Sequence, residues 1–160
     1  MSFRVGIGYD LHRLGPGSGL RIGGVSIPSD SALIGHSDGD VLVHAIIDAL
    51  LGACGLGNIG ERFPDTDPAW KGADSLRLLS VVQGLVRESG YRVGNVDSNV
   101  LAERPKLAGQ FPAMRAAIAG ALGVPVTDVS VKAKTMEGVD AVGRGEAIAA
   151  EAVALVFAEE

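Results

Sequence analysis

One cysteine in 160 residues leaves Cys54 with no possible intramolecular partner, so no disulfide staples the chain. Its neighbours are apolar, which suits a buried filler better than a reactive thiol. Aromatic residues are also scarce, at 4% against 47% hydrophobic. The core must therefore be aliphatic and rich in small side chains, and 23 glycines supply tight turns. No basic block is present and the net charge is −5. That argues against a nucleic-acid groove, and an anionic ligand would have to be met by local amides or a metal rather than a broad positive field. No apolar run reaches the ~20 residues a membrane span needs. The opening residues, Met1-Ser2-Phe3-Arg4-Val5, run into strand-like alternation without a leader pattern. The expectation is one domain over residues 1–160, cytoplasmic, with neither nucleic acid nor membrane as partner.

Histidine is scarce too, and its three copies are not scattered. His12 stands two residues after Asp10, which on a strand puts both on one face. His36 and His44 bracket Asp38 and Asp40, with His44 inside a densely apolar run, 41–51, that reads as a buried helix. One carboxylate and two imidazoles on a strand and a helix suit a divalent transition metal, zinc above all, with a fourth position open to a substrate oxygen. The alternative for Asp38 or Asp40 is an N-cap of the helix. Asp40, four residues before His44, is also placed to orient that ring across one helix turn. Ser37-Asp38-Gly39-Asp40 lacks the ligand spacing and closing glutamate of a calcium loop.

Along the chain, residues 3–14 read as a strand, 20–22 and 25–27 as a hairpin across Gly23-Gly24, and 28–35 as a loop. Residues 57–60 and 63–68, full of Gly, Pro and Asp, read as a second loop region. A helix starts at Asp74 or Ser75 and runs to about 89, followed by a strand over 91–103. A third helix spans 111–122 and a strand 129–135. The last segment, 147–159, is ambiguous: its alanines favour helix, while Val153, Leu155 and Phe157 alternate as in a strand. Gly143-Arg144-Gly145-Glu146 has neither dinucleotide nor P-loop spacing. The element order argues for an α+β sandwich with helices on one face of a sheet.

Six motifs in order, Gly8-Tyr9-Asp10-Leu11-His12, His36-Ser37-Asp38-Gly39-Asp40 with His44, Gly57-Asn58-Ile59-Gly60, Phe63-Pro64-Asp65-Thr66-Asp67, Lys132-Ala133-Lys134-Thr135-Met136-Glu137 and Gly143-Arg144-Gly145-Glu146, cover the chain almost end to end. In these the sequence resembles the 2-C-methyl-D-erythritol 2,4-cyclodiphosphate synthase family. The resemblance implies conversion of 4-diphosphocytidyl-2-C-methyl-D-erythritol 2-phosphate to the cyclic diphosphate with release of CMP. It also implies that the last segment is a strand, that a four-stranded sheet faces the threefold axis of a homotrimer with helices outside, and that active sites lie between subunits.

Carried over by the resemblance, Asp10, His12 and His44 are zinc ligands, another divalent transition metal being possible. Glu137 holds a magnesium or manganese ion that comes with the substrate. His36 and Thr135 position and stabilise the phosphoryl-transfer transition state. His36, Ser37, Phe63, Pro64, Asp65, Thr66 and Asp67, beside Asp10 and His12, form the pocket for the methylerythritol phosphate. Ala102, Glu103, Arg104, Pro105, Lys106, Leu107 and Ala108, with Lys134, Thr135, Met136 and Glu137, form that for the cytidine diphosphate. Asn58, Ile59 and Gly60 meet the substrate, Asn58 standing where the family often has aspartate. Ala141 and Arg144 lie near the central trimer cavity, Ala141 where a bulky aromatic is frequent. The rival readings are a trimeric scaffold that has lost its chemistry and a zinc hydrolase of a nucleotide diphosphate.

Overall fold

Strand β1 (Phe3–Pro16) sorts its residues by parity. Phe3, Val5, Ile7, Tyr9 and Leu11 point to one side and are exposed, whereas Gly6 and Gly8 are buried on the other, followed on that side by Asp10 and His12. A computed structural model of the chain describes residues 2–34, 38–64, 66–70 and 72–159. After β1 come the hairpin β2 (Leu20–Ile22) and β3 (Val25–Ile27), then a three-residue strand β4 (Ser31–Leu33). Helices α1 (Val41–Cys54), α2 (Ile59–Arg62) and α3 (Ser75–Glu88) lead to β5 (Tyr91–Leu101). Helix α4 (Phe111–Leu122), strand β6 (Val129–Lys134), helix α5 (Asp140–Gly143) and strand β7 (Ala147–Ala158) complete the order.

The α+β expectation holds, with one correction. The sheet has five strands in the order β4-β1-β7-β5-β6, not four, because β4 pairs antiparallel with the far end of β1 at Leu14–Pro16. Three residues are too few for alternation to show, so this strand is hidden in what reads as loop. The sheet is mixed: β1/β7 and β7/β5 are antiparallel, β5/β6 parallel. The last segment is a strand, and its alanines have a packing reason. Ala150, Ala152 and Ala154, buried beneath α1, lie beside Asp10, Gly8 and Gly6. Small side chains there let the helix approach the sheet, and tertiary packing overrides helix propensity.

That approach is extreme at the glycines. A Cβ on Gly8 would stand 1.9 Å from the Ala45 carbonyl oxygen, and one on Gly6 would stand 1.9 Å from that of Ala49. Helix α1 thus rests on bare strand backbone. Its other faces are covered as well, Val41, Leu42, Ile46, Ile47, Leu50 and Leu51 all being fully buried, with α3 packed against it.

The N-terminus of α1 is fixed by Asp40. Its carboxylate accepts from the amides of Val43 (3.1 Å), Gly23 (2.8 Å) and Gly24 (2.6 Å). Gly23 and Gly24 both have positive φ, 60° and 76°, so the β2–β3 turn presents two amides that an L-residue pair would not offer cheaply. The cap therefore ties the hairpin to the helix.

Substituting Gly8 by Ala should destabilise the protein by about 1–3 kcal/mol, because backbone on both sides leaves the methyl no room. Gly84→Ala in α3, where an added Cβ meets nothing within 4 Å, should instead be neutral or gain about 0.5–1 kcal/mol. Urea midpoints of the two variants measure the contrast.

Candidate metal centre

Because Gly6 and Gly8 bring α1 onto β1, the next inward residues of the strand meet the helix's first turns. His44 sits one position before Ala45, the residue over Gly8, and so comes down on Asp10 and His12. Asp10 Oδ2 lies 2.9 Å from His12 Nε2 and 3.0 Å from His44 Nδ1, and the two ring nitrogens are 3.3 Å apart. Among the described residues these three form the one group of His, Cys, Asp or Glu side chains whose donor atoms converge as a metal site requires, all within 4.8 Å. Two imidazole nitrogens and one carboxylate oxygen match the donors zinc and its neighbours accept, and an all-oxygen cation such as magnesium would be poorly served. The set fits a transition metal.

His44 is buried, while Asp10 and His12 keep roughly a quarter of their side chains exposed, so the cluster opens on one side. The far side of the His44 ring is also engaged. Its Nε2 lies 2.9 Å from Ser75 Oγ and 3.6 Å from Asp38 Oδ1. Asp38 in turn accepts from the Ser75 amide (2.8 Å) and hydroxyl, and Arg21 Nε stands 3.5 Å from it. This corrects the expectation that Asp40 orients His44. The Asp40 side chain is turned back onto amides as the N-cap, and Asp38, two residues earlier, is the aspartate that faces the ring.

The charges reinforce one another. Burial disfavours the carboxylates of Asp10 and Asp38, yet hydrogen bonds from His12 and His44 hold Asp10, and the adjacent His44 ring together with hydrogen bonds from Ser75 holds Asp38, well below the usual range. Burial likewise opposes the His44 imidazolium, but Asp10 and Asp38 on its two sides push it up to about 9.

The other site residues divide. Asn58 caps α2, accepting from the Glu61 amide at 3.1 Å. Asp48, one helical turn beyond His44, accepts from the Ile59 amide at 2.7 Å and so anchors this loop to α1. Phe63 is buried with its ring edge-on to Trp70 at 4.9 Å. His36, Ser37 and Asp65 lie outside the described residues. Thr135 and Glu137 are exposed just past β6, with Thr135 Oγ1 donating to Glu137 Oε1 at 3.1 Å. The Met136 amide reaches Glu103 Oε2, which joins the end of β6 to the segment after β5.

Sheet register locates them relative to the triad. Asp10 pairs with Ala150, Ala150 with Val100, and Val100 with Ala133. Thr135 is therefore level with His12 but three strand spacings away, about 14 Å. One chain gathers Asp10, His12 and His44 and leaves Thr135 and Glu137 apart from them. Arg144 is paired on the surface with Glu146 at 2.9 Å. Ser75 was not among the sequence candidates; the signal was the Asp74-Ser75 doublet at the start of α3, where Asp74 does the capping and leaves Ser75 free to face inward.

A family profile described as the YgbB family matches residues 3–157. The 2-C-methyl-D-erythritol 2,4-cyclodiphosphate synthase of Symbiobacterium thermophilum is 59% identical over 152 residues, 95% of this chain and 97% of that protein. That of Trichlorobacter lovleyi is 55% identical over 154 residues, 96% and 98% of the two chains. A solved structure described as IspF of Plasmodium falciparum in complex with CDP superposes with a TM-score of 0.88 at 33% identity, covering 99% of this chain and 98% of that one. With the metal-type triad and the α+β fold, these place the chain in the 2-C-methyl-D-erythritol 2,4-cyclodiphosphate synthase family, phosphorus–oxygen lyases of the isoprenoid MEP pathway.

Proposed function

We propose that the protein performs the family's cyclisation at sites shared between neighbouring copies of a cytoplasmic homotrimer, with zinc held by Asp10, His12 and His44. The observation that carries this is the convergence of Asp10 Oδ2, His12 Nε2 and His44 Nδ1 on one open point. The 2-phosphate of 4-diphosphocytidyl-2-C-methyl-D-erythritol 2-phosphate attacks the β-phosphorus. A new P–O bond closes the ring, and the bond to the bridging oxygen breaks, releasing CMP with that electron pair. A phosphate is already an anionic nucleophile, so no general base is required and the protein's task is alignment and charge neutralisation. When bound, zinc or another divalent transition metal supplies Lewis acidity at the attacked phosphate, and magnesium or manganese at Glu137 neutralises the diphosphate.

The remaining roles belong to this chain's side chains and amides. His36 and Thr135 position the transferring phosphoryl group. Ser37, Asn58–Gly60 and residues 63–67 receive the methylerythritol phosphate end and the ribose. Residues 102–108 and 134–137 receive the cytidine diphosphate. The CDP in the Plasmodium falciparum structure supports the nucleotide assignment.

Two features favour the shared site. The triad on β1 and Glu137 past the end of β6 are separated by the width of β7 and β5, so a second copy must bring one to the other. The sheet face opposite α1 carries Phe3, Val5, Ile7 and Tyr9 with 55–77% of their surface exposed, the contiguous apolar patch that a partner covers. A scaffold that has lost its chemistry is disfavoured by the intact triad.

Incubation of the protein with the cytidyl substrate, followed by phosphorus NMR, should yield a cyclic diphosphate and CMP; an acyclic phosphate with CMP would instead mark a hydrolase. His44→Ala should lose most of its bound metal by elemental analysis, and retention of full metal content would overturn the ligand assignment. Glu137→Gln should keep zinc while turnover falls at least tenfold at limiting magnesium, the loss lying in the chemical step.

The proton on His44 gives a further expectation. With its pKa raised to about 9, metal-free His44 is protonated at pH 7 and must lose a proton when the metal binds. Apparent zinc affinity should therefore fall about tenfold per pH unit on going down from 9, and level off above it. Calorimetry at pH 7 in buffers of different ionisation enthalpy should count about one proton released from this ring.

A further inference from the structure

The His44 ring offers two nitrogens, and the structure determines which one is available to a metal. A serine hydroxyl has one proton to give. Ser75 Oγ gives it to Asp38 Oδ1, which as a carboxylate can only accept. Toward His44 Nε2, 2.9 Å away, the same oxygen must then act as acceptor. Nε2 therefore carries hydrogen, and the lone pair of the neutral ring is on Nδ1, the nitrogen that faces Asp10 and His12.

We propose that Asp38 and Ser75 are positioning residues that lock His44 in the Nε2–H tautomer and so reserve Nδ1 for the metal. This rests on the reading of Asp10, His12 and His44 as metal ligands. The clamp is assembled from three parts of the chain. Asp38 lies in the segment leading into α1, Ser75 opens α3, and Arg21 on β2 sets its guanidinium against Asp38. Both clamp residues are themselves fixed: the Ser75 amide donates to Asp38 Oδ2 at 2.8 Å, and Ser75 is fully buried. Arg21 also pairs with Asp74, the N-cap of α3, so the helix start and the carboxylate share one cation. A ligand ring whose outer nitrogen donates to a held acceptor keeps its orientation and gains basicity at the coordinating nitrogen. Asp40 cannot serve, since its two oxygens already accept from three amides.

The test uses full-length protein, with zinc as the probe and a chromophoric chelator as competitor. Asp38→Asn and Ser75→Ala should each weaken zinc binding 10–100-fold. The double variant should lose little more than the worse single one, because the two act as a unit. Far-ultraviolet circular dichroism of the same samples separates this from loss of the fold. Nitrogen-15 NMR of the zinc-loaded parent should show His44 bound through Nδ1 with hydrogen on Nε2, a readout that stands even if a variant fails to fold. Unchanged zinc affinity in both folded variants, or coordination through Nε2, overturns the proposal. A parent protein that binds no zinc overturns the ligand assignment beneath it.

Discussion

The contact on which the rest depends is between two backbones. Helix α1 lies against β1 so closely that Gly6 and Gly8 leave no room for a side chain. Such proximity removes a layer of side chains that would normally separate a helix from a sheet, about 10 Å apart in most packings. The short distance is what lets a histidine from the helix share a point with an aspartate and a histidine from the strand. A longer separation would need long ligand side chains with more rotamers to fix. The alanines of β7 and the glycines of β1 serve the same close approach from adjacent strands.

Around that contact, the polar groups are divided between two neighbouring aspartates with separate duties. Asp40 is fully buried and spends its charge on three amides, joining the hairpin to α1. Burial pushes its carboxyl upward, and the three amide donors oppose that shift. Asp38 is partly exposed and faces a histidine of the candidate metal centre, a serine and an arginine. The Gly39 between them has φ 71°, a turn that sends consecutive carboxylates in different directions.

Much of this was legible in the sequence. The boundaries of β2, β3 and α4 were read correctly, and the Asp-x-His pair with His44 marked the metal-type triad from residue chemistry alone. What was missed has physical causes. The strand β4 is too short for a period to register. The nature of β7 was hidden because alanine is chosen there for size, which a propensity scale cannot express. The His44 partner was misassigned because two local rules compete at Asp40. Spacing of four on a helix favours contact with His44, but an N-cap carboxylate turns toward the first free amides, and capping won. Ser75 was missed because the Asp74-Ser75 doublet marks only a helix start, and its pairing with His44, 31 residues away, leaves no further trace in the sequence.

The parity of β1 has a consequence for how the chain reaches its native pairing. Odd-numbered side chains from Phe3 to Leu11 form an apolar exterior, while even-numbered positions from Gly6 to His12 provide the clearance for α1 and two donors of the triad. A slip of one residue against β7 would turn Phe3, Val5 and Ile7 into the helix backbone and expose Asp10 and His12 on the opposite surface. A one-residue slip is thus rejected twice, by collision on one side and by loss of the apolar exterior on the other. A single stretch of fourteen residues acts as its own alignment gauge, and an insertion or deletion within it would scramble both surfaces at once.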